Sequence, residues 1–166
     1  QGGYYGTALQ AASLQGHKAV VRLLLENGAD VNALCGAFGS ALQAASYGGN
    51  KEVVQLLLEH GADINSKGGD YGTALQAACF GAHEEVSKLL LDNGADVNAQ
   101  GGDFGNALQA AAYGGSQEIV QSLLEKGADV NAQGGHHGNA LHAAAVRGHE
   151  EIQQLLLDHG AREVEE

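Results

Sequence analysis

Gly28-Ala29-Asp30-Val31-Asn32-Ala33 returns as Gly61-Ala62-Asp63-Ile64-Asn65, as Gly94-Ala95-Asp96-Val97-Asn98-Ala99 and as Gly127-Ala128-Asp129-Val130-Asn131-Ala132, each copy 33 residues after the last. Gly160-Ala161-Arg162 stands where a fifth copy would begin. A second landmark keeps the same step. Ala-Leu-Gln-Ala-Ala starts at Ala8, Ala41, Ala74 and Ala107, and Ala-Leu-His-Ala-Ala at Ala140. Two landmarks in one register through five copies define a tandem array, the mark of a fold built from stacked supersecondary units. The units run 2–34, 35–67, 68–100, 101–133 and 134–166, so residues 1–166 read as a single repeat domain with no linker left over.

Within each unit the pattern is turn, helix, turn, helix, loop. The first helix opens at Thr7, Ser40, Thr73, Asn106 and Asn139, side chains that cap a helix by accepting a backbone N–H bond. In the first and third units Gln10 and Gln76, three residues on, complete a capping box. This helix ends near Gly16, Gly48, Gly81, Gly114 and Gly148, and its Ala-Ala body lets neighbours approach closely. The second helix starts near His17, Asn50, His83, Ser116 and His149, with Glu52, Glu84, Glu118 and Glu150 in its first turn, where acid suits the positive helix end. Val20, Val53, Val86, Ile119 and Ile152 share a face with Leu24, Leu57, Leu90, Leu123 and Leu156, four residues later. Gly28 and its repeats end the helix where a positive φ is wanted. One such pair cannot bury its apolar face alone; stacking the pairs makes one continuous core. The fold class is therefore all-α, a solenoid of five 33-residue helix-turn-helix units with hairpin loops.

Composition excludes several functions. The 166 residues carry 20 Asp+Glu against 8 Lys+Arg, a net charge of −12, the wrong sign for gripping a phosphate backbone, so no nucleic-acid partner is expected. No apolar run approaches the length that crosses a bilayer, so no membrane partner is expected either. Cys35 and Cys79 are too few and too far apart for a disulfide framework. They read as free thiols in a reducing compartment, which places the chain in the cytoplasm. The chain opens on Gln1 rather than Met, which points to an excised or processed chain.

The period, both helix bodies and the terminal Gly resemble the ankyrin repeat over the whole chain, with Gly-Ala-Asp-Val-Asn-Ala at Gly28–Ala33 and Gly94–Ala99, Val-Val-Arg-Leu-Leu-Leu at Val20–Leu25 and Gly-His at Gly16-His17. The family's Thr-Pro-Leu-His is altered here to Thr/Ser/Asn-Ala-Leu-Gln, with His kept only at His142. Its hairpin Gly is replaced by an aromatic at Tyr5, Phe38, Tyr71 and Phe104, followed by Gly6, Gly39, Gly72 and Gly105. In this style the chain resembles the near-identical arrays at the C-terminus of large fungal NACHT/STAND-type receptors. A designed or consensus-derived array is the competing reading, against which the irregular Cys79, Ser87, Ser122 and Gln153 stand. The resemblance implies a non-enzymatic protein-binding module without a cofactor, with hairpin tips and first helices lining the binding face. An architectural or self-associating scaffold is the alternative.

Little in the chain points to chemistry. Asp30, Asp63, Asp96 and Asp129 recur once per unit, whereas catalytic carboxylates form a unique pair in a cleft; they read as Asx bonds to local backbone. Asn32, Asn65, Asn98 and Asn131 read the same way, although the resemblance also allows hydroxylation of this Asn. Gln10, Gln43, Gln76, Gln109 and His142 are expected to form a buried polar ladder between units. His17, His83 and His149 are structural in the family. His136, His137 and His142 lie close in sequence, but neighbours point apart and no metal site is expected. Gly-Gly-x-Tyr/Phe-Gly lacks the Lys-Ser/Thr of a phosphate loop.

The candidate binding residues fall in two columns. One first-helix position reads Leu14, Tyr47, Phe80, Tyr113 and Val146, with Gly48, Gly81 and Gly114 leaving the middle three free of a neighbouring side chain. With helices roughly 10 Å apart, this column predicts a row of rings that either binds a partner or packs on its neighbours. The hairpin position Tyr4, Ala37, Asp70, Asp103 and His136 varies while its surroundings hold, as a position free of packing duty would. Asp70 and Asp103 favour a partner protein or peptide with basic and apolar groups. Tyr5, Phe38, Tyr71 and Phe104 are assigned to packing between hairpins, offsetting the small Ala11, Ala44, Ala77 and Ala110. Acid on the second helices and in the tail (Glu163, Glu165, Glu166) reads as solvated surface. Val20, Val21 and Leu24 have no polar cap beside them, so an exposed apolar side is expected. A monomer is expected.

Overall fold

The computed structural model describes Tyr4 and residues 6–162, so Tyr5 and the acidic tail beyond Arg162 lie outside the described residues. The described residues contain ten helices in five pairs. These are α1 Ala8–Leu14 with α2 Lys18–Glu26, α3 Ala41–Tyr47 with α4 Lys51–Glu59, α5 Ala74–Phe80 with α6 Glu84–Asp92, α7 Ala107–Gly114 with α8 Gln117–Glu125, and α9 Ala140–Arg147 with α10 Glu150–Asp158. No extended strand forms among them; each of four fingers closes on one isolated bridge, Cys35 with Gly39, Gly68 with Gly72, Gly101 with Gly105 and Gly134 with Gly138. The altered hairpin sequence therefore still makes a finger.

All five first helices are capped as expected, by Thr7, Ser40, Thr73, Asn106 and Asn139. The reciprocal capping box extends beyond the first and third units to Ser40 with Gln43 and Asn106 with Gln109. At the second helices only Ser116 caps with its side chain. Three others at that position reach backward instead: Asn50 Nδ2 donates to the Leu14 carbonyl at 2.8 Å, and His83 Nε2 to that of Tyr47 at 2.8 Å. His149 does the same to Tyr113 at 3.2 Å, so this position ties α4, α6 and α10 to the end of the first helix of the preceding unit.

The core follows the repeat. Leu42, Leu57, Leu75, Leu90, Leu108, Leu123 and Leu156 are fully buried, with Ala44, Ala45, Ala77 and Ala78 between the first helices. First helices pack on one another more intimately than second helices do. Gly48, Gly81 and Gly114 serve that packing: a Cβ on Gly114 would come within 2.6 Å of the Phe80 carbonyl oxygen. Their lack of a side chain is a condition for helix approach rather than clearance for the adjacent rings. Gly28 and its repeats differ, since nothing crowds them and only their φ of +83° to +89° requires glycine.

Three polar ladders hold the units in register. Gln76 Nε2 donates to Ala99, Gly101 and Gly105 carbonyls of the next finger at 3.4, 3.0 and 2.9 Å, while its Oε1 accepts from Thr73 N. Gln10 and Gln109 repeat this, and Gln43 donates to the Gly68 and Gly72 carbonyls. His142 does not join the ladder; it is exposed and touches the His137 ring, with no following finger among the described residues to supply carbonyls. The second ladder runs through the acids: Asp30 Oδ1 accepts from Asn32 N at 2.9 Å, Asn32 Nδ2 donates to Gly61 O at 3.1 Å, and Asp63 N donates back to Asn32 Oδ1 at 2.8 Å. Asn65, Asn98 and Asn131 bridge in the same way. The third joins fingertips. Ala37 N donates to Tyr4 O at 3.1 Å, Asp70 N to Ala37 O at 2.8 Å, Asp103 N to Asp70 O at 2.7 Å and His136 N to Asp103 O at 2.9 Å.

Candidate protein-interaction face

Fingers fold back over the ends of the first helices, and this brings the two aromatic columns together. The rings of Tyr47, Phe80 and Tyr113 are spaced 6.0 and 5.9 Å along the helix row, almost parallel at 16° and 19°. That is closer than the roughly 10 Å of packed helix axes. Alanine bodies and bare Gly48, Gly81 and Gly114 account for it. Phe38, Tyr71 and Phe104 stack along the finger row at 5.8 and 6.5 Å, the packing expected of them; Tyr5, assigned with them, is outside the described residues. The two rows interleave. Tyr71 lies 4.7 Å from Tyr47 and 5.5 Å from Phe80, and Phe104 lies 4.6 Å from Phe80 and 5.3 Å from Tyr113. The result is one continuous ribbon of rings, each contact in the range worth about 0.5–1.5 kcal/mol beyond burial.

The ribbon is neither core nor bare surface. Phe38 is buried, whereas Tyr47, Tyr71, Phe80, Phe104 and Tyr113 are half-buried. Burial first, then the Tyr47 hydroxyl, pushes the Tyr71 hydroxyl far above its ordinary value, so it stays protonated as a donor. Tyr4, 61% exposed, meets Phe38 edge-on at 5.9 Å. At the other end His137 stacks on Tyr113 at 4.9 Å, and the Arg147 guanidinium sits 4.8 Å from the centre of the same ring.

Of the nine predicted binding residues, the structure brings Tyr47, Phe80 and Tyr113 into the ribbon and sets Tyr4 against its start. Asp70, Asp103 and His136 are exposed on fingertips whose backbones are laddered, which explains how side chains vary where neighbours cannot. Leu14 is half-buried and Val146 is 54% exposed, and neither belongs to the ring contacts. Sequence reasoning missed that the finger aromatics share the helix row's face, and missed His137 and Arg147. Both stood in the columns: His137 lies 33 residues after Phe104, and Arg147 lies 33 after Gly114.

Cys79 is buried, which pushes its thiol up to about 12. Cys35 donates to Gln10 Oε1 at 3.1 Å. Among the described residues no three His, Cys, Asp or Glu are placed to hold a metal ion, and no helix is long and apolar enough to cross a membrane. A surface hollow of about 550 Å³ between Lys18, Asn50, Glu52 and Glu85 is open and crossed by exposed ion pairs.

A family model described as ankyrin repeats (3 copies) matches residues 9–101 and again 100–165. No curated protein matches the chain. With stacked helix pairs, closed fingers and a family match over nearly its full length, the chain belongs to the ankyrin-repeat family.

Proposed function

We propose that this chain is a non-enzymatic protein-binding module that works through the aromatic ribbon. Ankyrin repeats generally mediate protein–protein interaction. The observation that carries the reading is the ribbon itself: a row of half-buried rings, ordered by its own stacking and laid along the face that first helices and fingers share. Tyr-rich patches with polar rims are the usual make-up of binding hot spots, and a surface already ordered loses little entropy on binding. Tyr47, Phe80 and Tyr113 are the anchors, with Tyr4, Leu14, Asp70, Asp103, His136 and Val146 around them. In its full context the array is the recognition segment of a larger intracellular receptor, cytoplasmic and monomeric, with residues 1–166 as one repeat domain; the resemblance to fungal NACHT/STAND-type arrays supports this.

A selection from a random phage-displayed peptide library tests the ribbon. Peptides retained by the chain should lose at least ten-fold in affinity to the Tyr47→Ala/Phe80→Ala/Tyr113→Ala variant while far-UV circular dichroism stays helical. Since those rings also stack on neighbours, the milder single variant Phe80→Ala is measured beside it. Full binding by both variants contradicts the reading. The scaffold reading draws on exposed apolar ends, Val20 and Leu23 on one and Val146 and Leu157 on the other; concentration-dependent sedimentation would favour it.

A further inference from the structure

We infer that the partner engages the ribbon through an arginine whose guanidinium bridges the carboxylates of Asp70 and Asp103, with apolar side chains beside that arginine lying along the ring edges. This rests on the ribbon being the working surface.

The two acids stand on adjacent fingers. Asp103 N donates to Asp70 O at 2.7 Å, which sets the two backbones about 5 Å apart, as in neighbouring strands. Both side chains are exposed. Neither takes part in an ion pair among the described residues; the three pairs present join Lys18 to Glu52, Lys51 to Glu85 and Lys126 to Asp92, on second helices. Like charges on neighbouring paired backbones repel rather than attract, so a cation from a partner is favoured beside this pair. The first helices hold one Arg, Arg147, committed to Tyr113, and the described fingers hold one Lys, the exposed Lys67 at the base of the Asp70 finger, which forms no ion pair with either acid.

Ring geometry decides where a cation can go. Cation–π attraction needs an open ring face. Along the helix row the faces are turned to one another, Tyr47 to Phe80 and Phe80 to Tyr113, and Tyr113 is further covered by His137 and Arg147. What remains outward is ring edge, the positive side of the quadrupole. Edges suit apolar groups and carbonyl oxygens rather than cations. The cation therefore falls to the acids, and the rings supply apolar contact. Arginine fits better than lysine, because its planar fork presents five donors and reaches two carboxylates at once, where an ammonium is a point charge. An anionic partner is repelled both by the pair and by the net charge of −12.

The test uses three libraries of blocked synthetic nonapeptides on the immobilised chain. The central residue is arginine, lysine or citrulline, and the flanking positions mix Leu, Ile, Phe, Ala and Gln. Arginine-centred peptides should be retained at least ten-fold over their citrulline counterparts, with lysine between. The Asp70→Asn/Asp103→Asn variant should keep its circular dichroism and lose that preference, and added salt should erode it. Equal retention of arginine and citrulline libraries, or a preference that survives the double Asn variant, overturns the arginine bridge. If retention in that case still depends on Phe80, the ribbon reading stands alone. Retention by no library, or retention indifferent to Phe80→Ala, overturns both.

Discussion

At the scale of single residues, one amide does two jobs. Gln76 is fully buried, closes the cap of its own helix through Oε1 and satisfies three carbonyls of the next finger through Nε2. Removing it leaves the Ala99 and Gly101 carbonyls without a donor, at about 1–3 kcal/mol each when nothing replaces the bond, while the Gly105 carbonyl keeps its bond from Gly101 N. Gln76→Ala is expected to cost about 2–4 kcal/mol, lowering the melting temperature by roughly 5–12 °C on the scale of a chain this size. His142→Ala, the same column in the fifth unit, should change stability by no more than about 0.5 kcal/mol, as for exposed positions generally. Thermal melts of the two variants decide it, and similar losses would contradict the ladder. The Gln column and its capping role were legible in the sequence, because a polar residue repeated at a helix's third position has few other uses. That His142 leaves the ladder was not legible, since its acceptors belong to a neighbour rather than to its own unit.

At the scale of elements, the finger and the first helix make one surface. The sequence showed both aromatic columns, and their separation of nine residues within a unit, as from Phe104 to Tyr113, is fixed in the chain. It did not show that they share a face, because that depends on how the finger folds back, and hydrophobic periodicity carries no information across a turn. His137 is the test case. It replaces the finger aromatic of the fifth unit and stacks on Tyr113 near Phe104 at 6.4 Å. Burial first, then the His142 and His136 charges, lowers its pKa from 6.5. The folded chain thus binds this proton less readily than the unfolded chain. By linkage its contribution to stability is complete above pH 6.5 and is lost as the pH falls below that value. His137→Phe should remove this loss, so the variant gains melting temperature over the parent at pH 5 by more than at pH 8. Parallel pH profiles for the two would mean that His137 is not held in the ribbon.

At the scale of the whole molecule, position along the stack decides what a residue experiences. Val20 is 46% exposed and Val53, in the same place one unit on, is 1% exposed; only the presence of a preceding helix pair differs. The exposed apolar side foreseen at the first unit is real at Val20, whereas Val21 is fully buried and Leu24 half-buried. Such a solenoid is stabilised by nearest-neighbour interfaces, so its period was enough to read the architecture. The period could not show that the rings stand 6.0 Å apart, because that spacing follows from how closely the first helices of different units approach. The account's central claim is that partners bind on this inner ribbon and not on the outer helices. Nuclear magnetic resonance of the isotope-labelled chain, titrated with library-selected peptides, tests it most directly. The ring signals of Tyr47, Phe80 and Tyr113 and the amides of Asp70 and Asp103 should shift together and saturably; shifts confined to α4, α6 and α8 would contradict it.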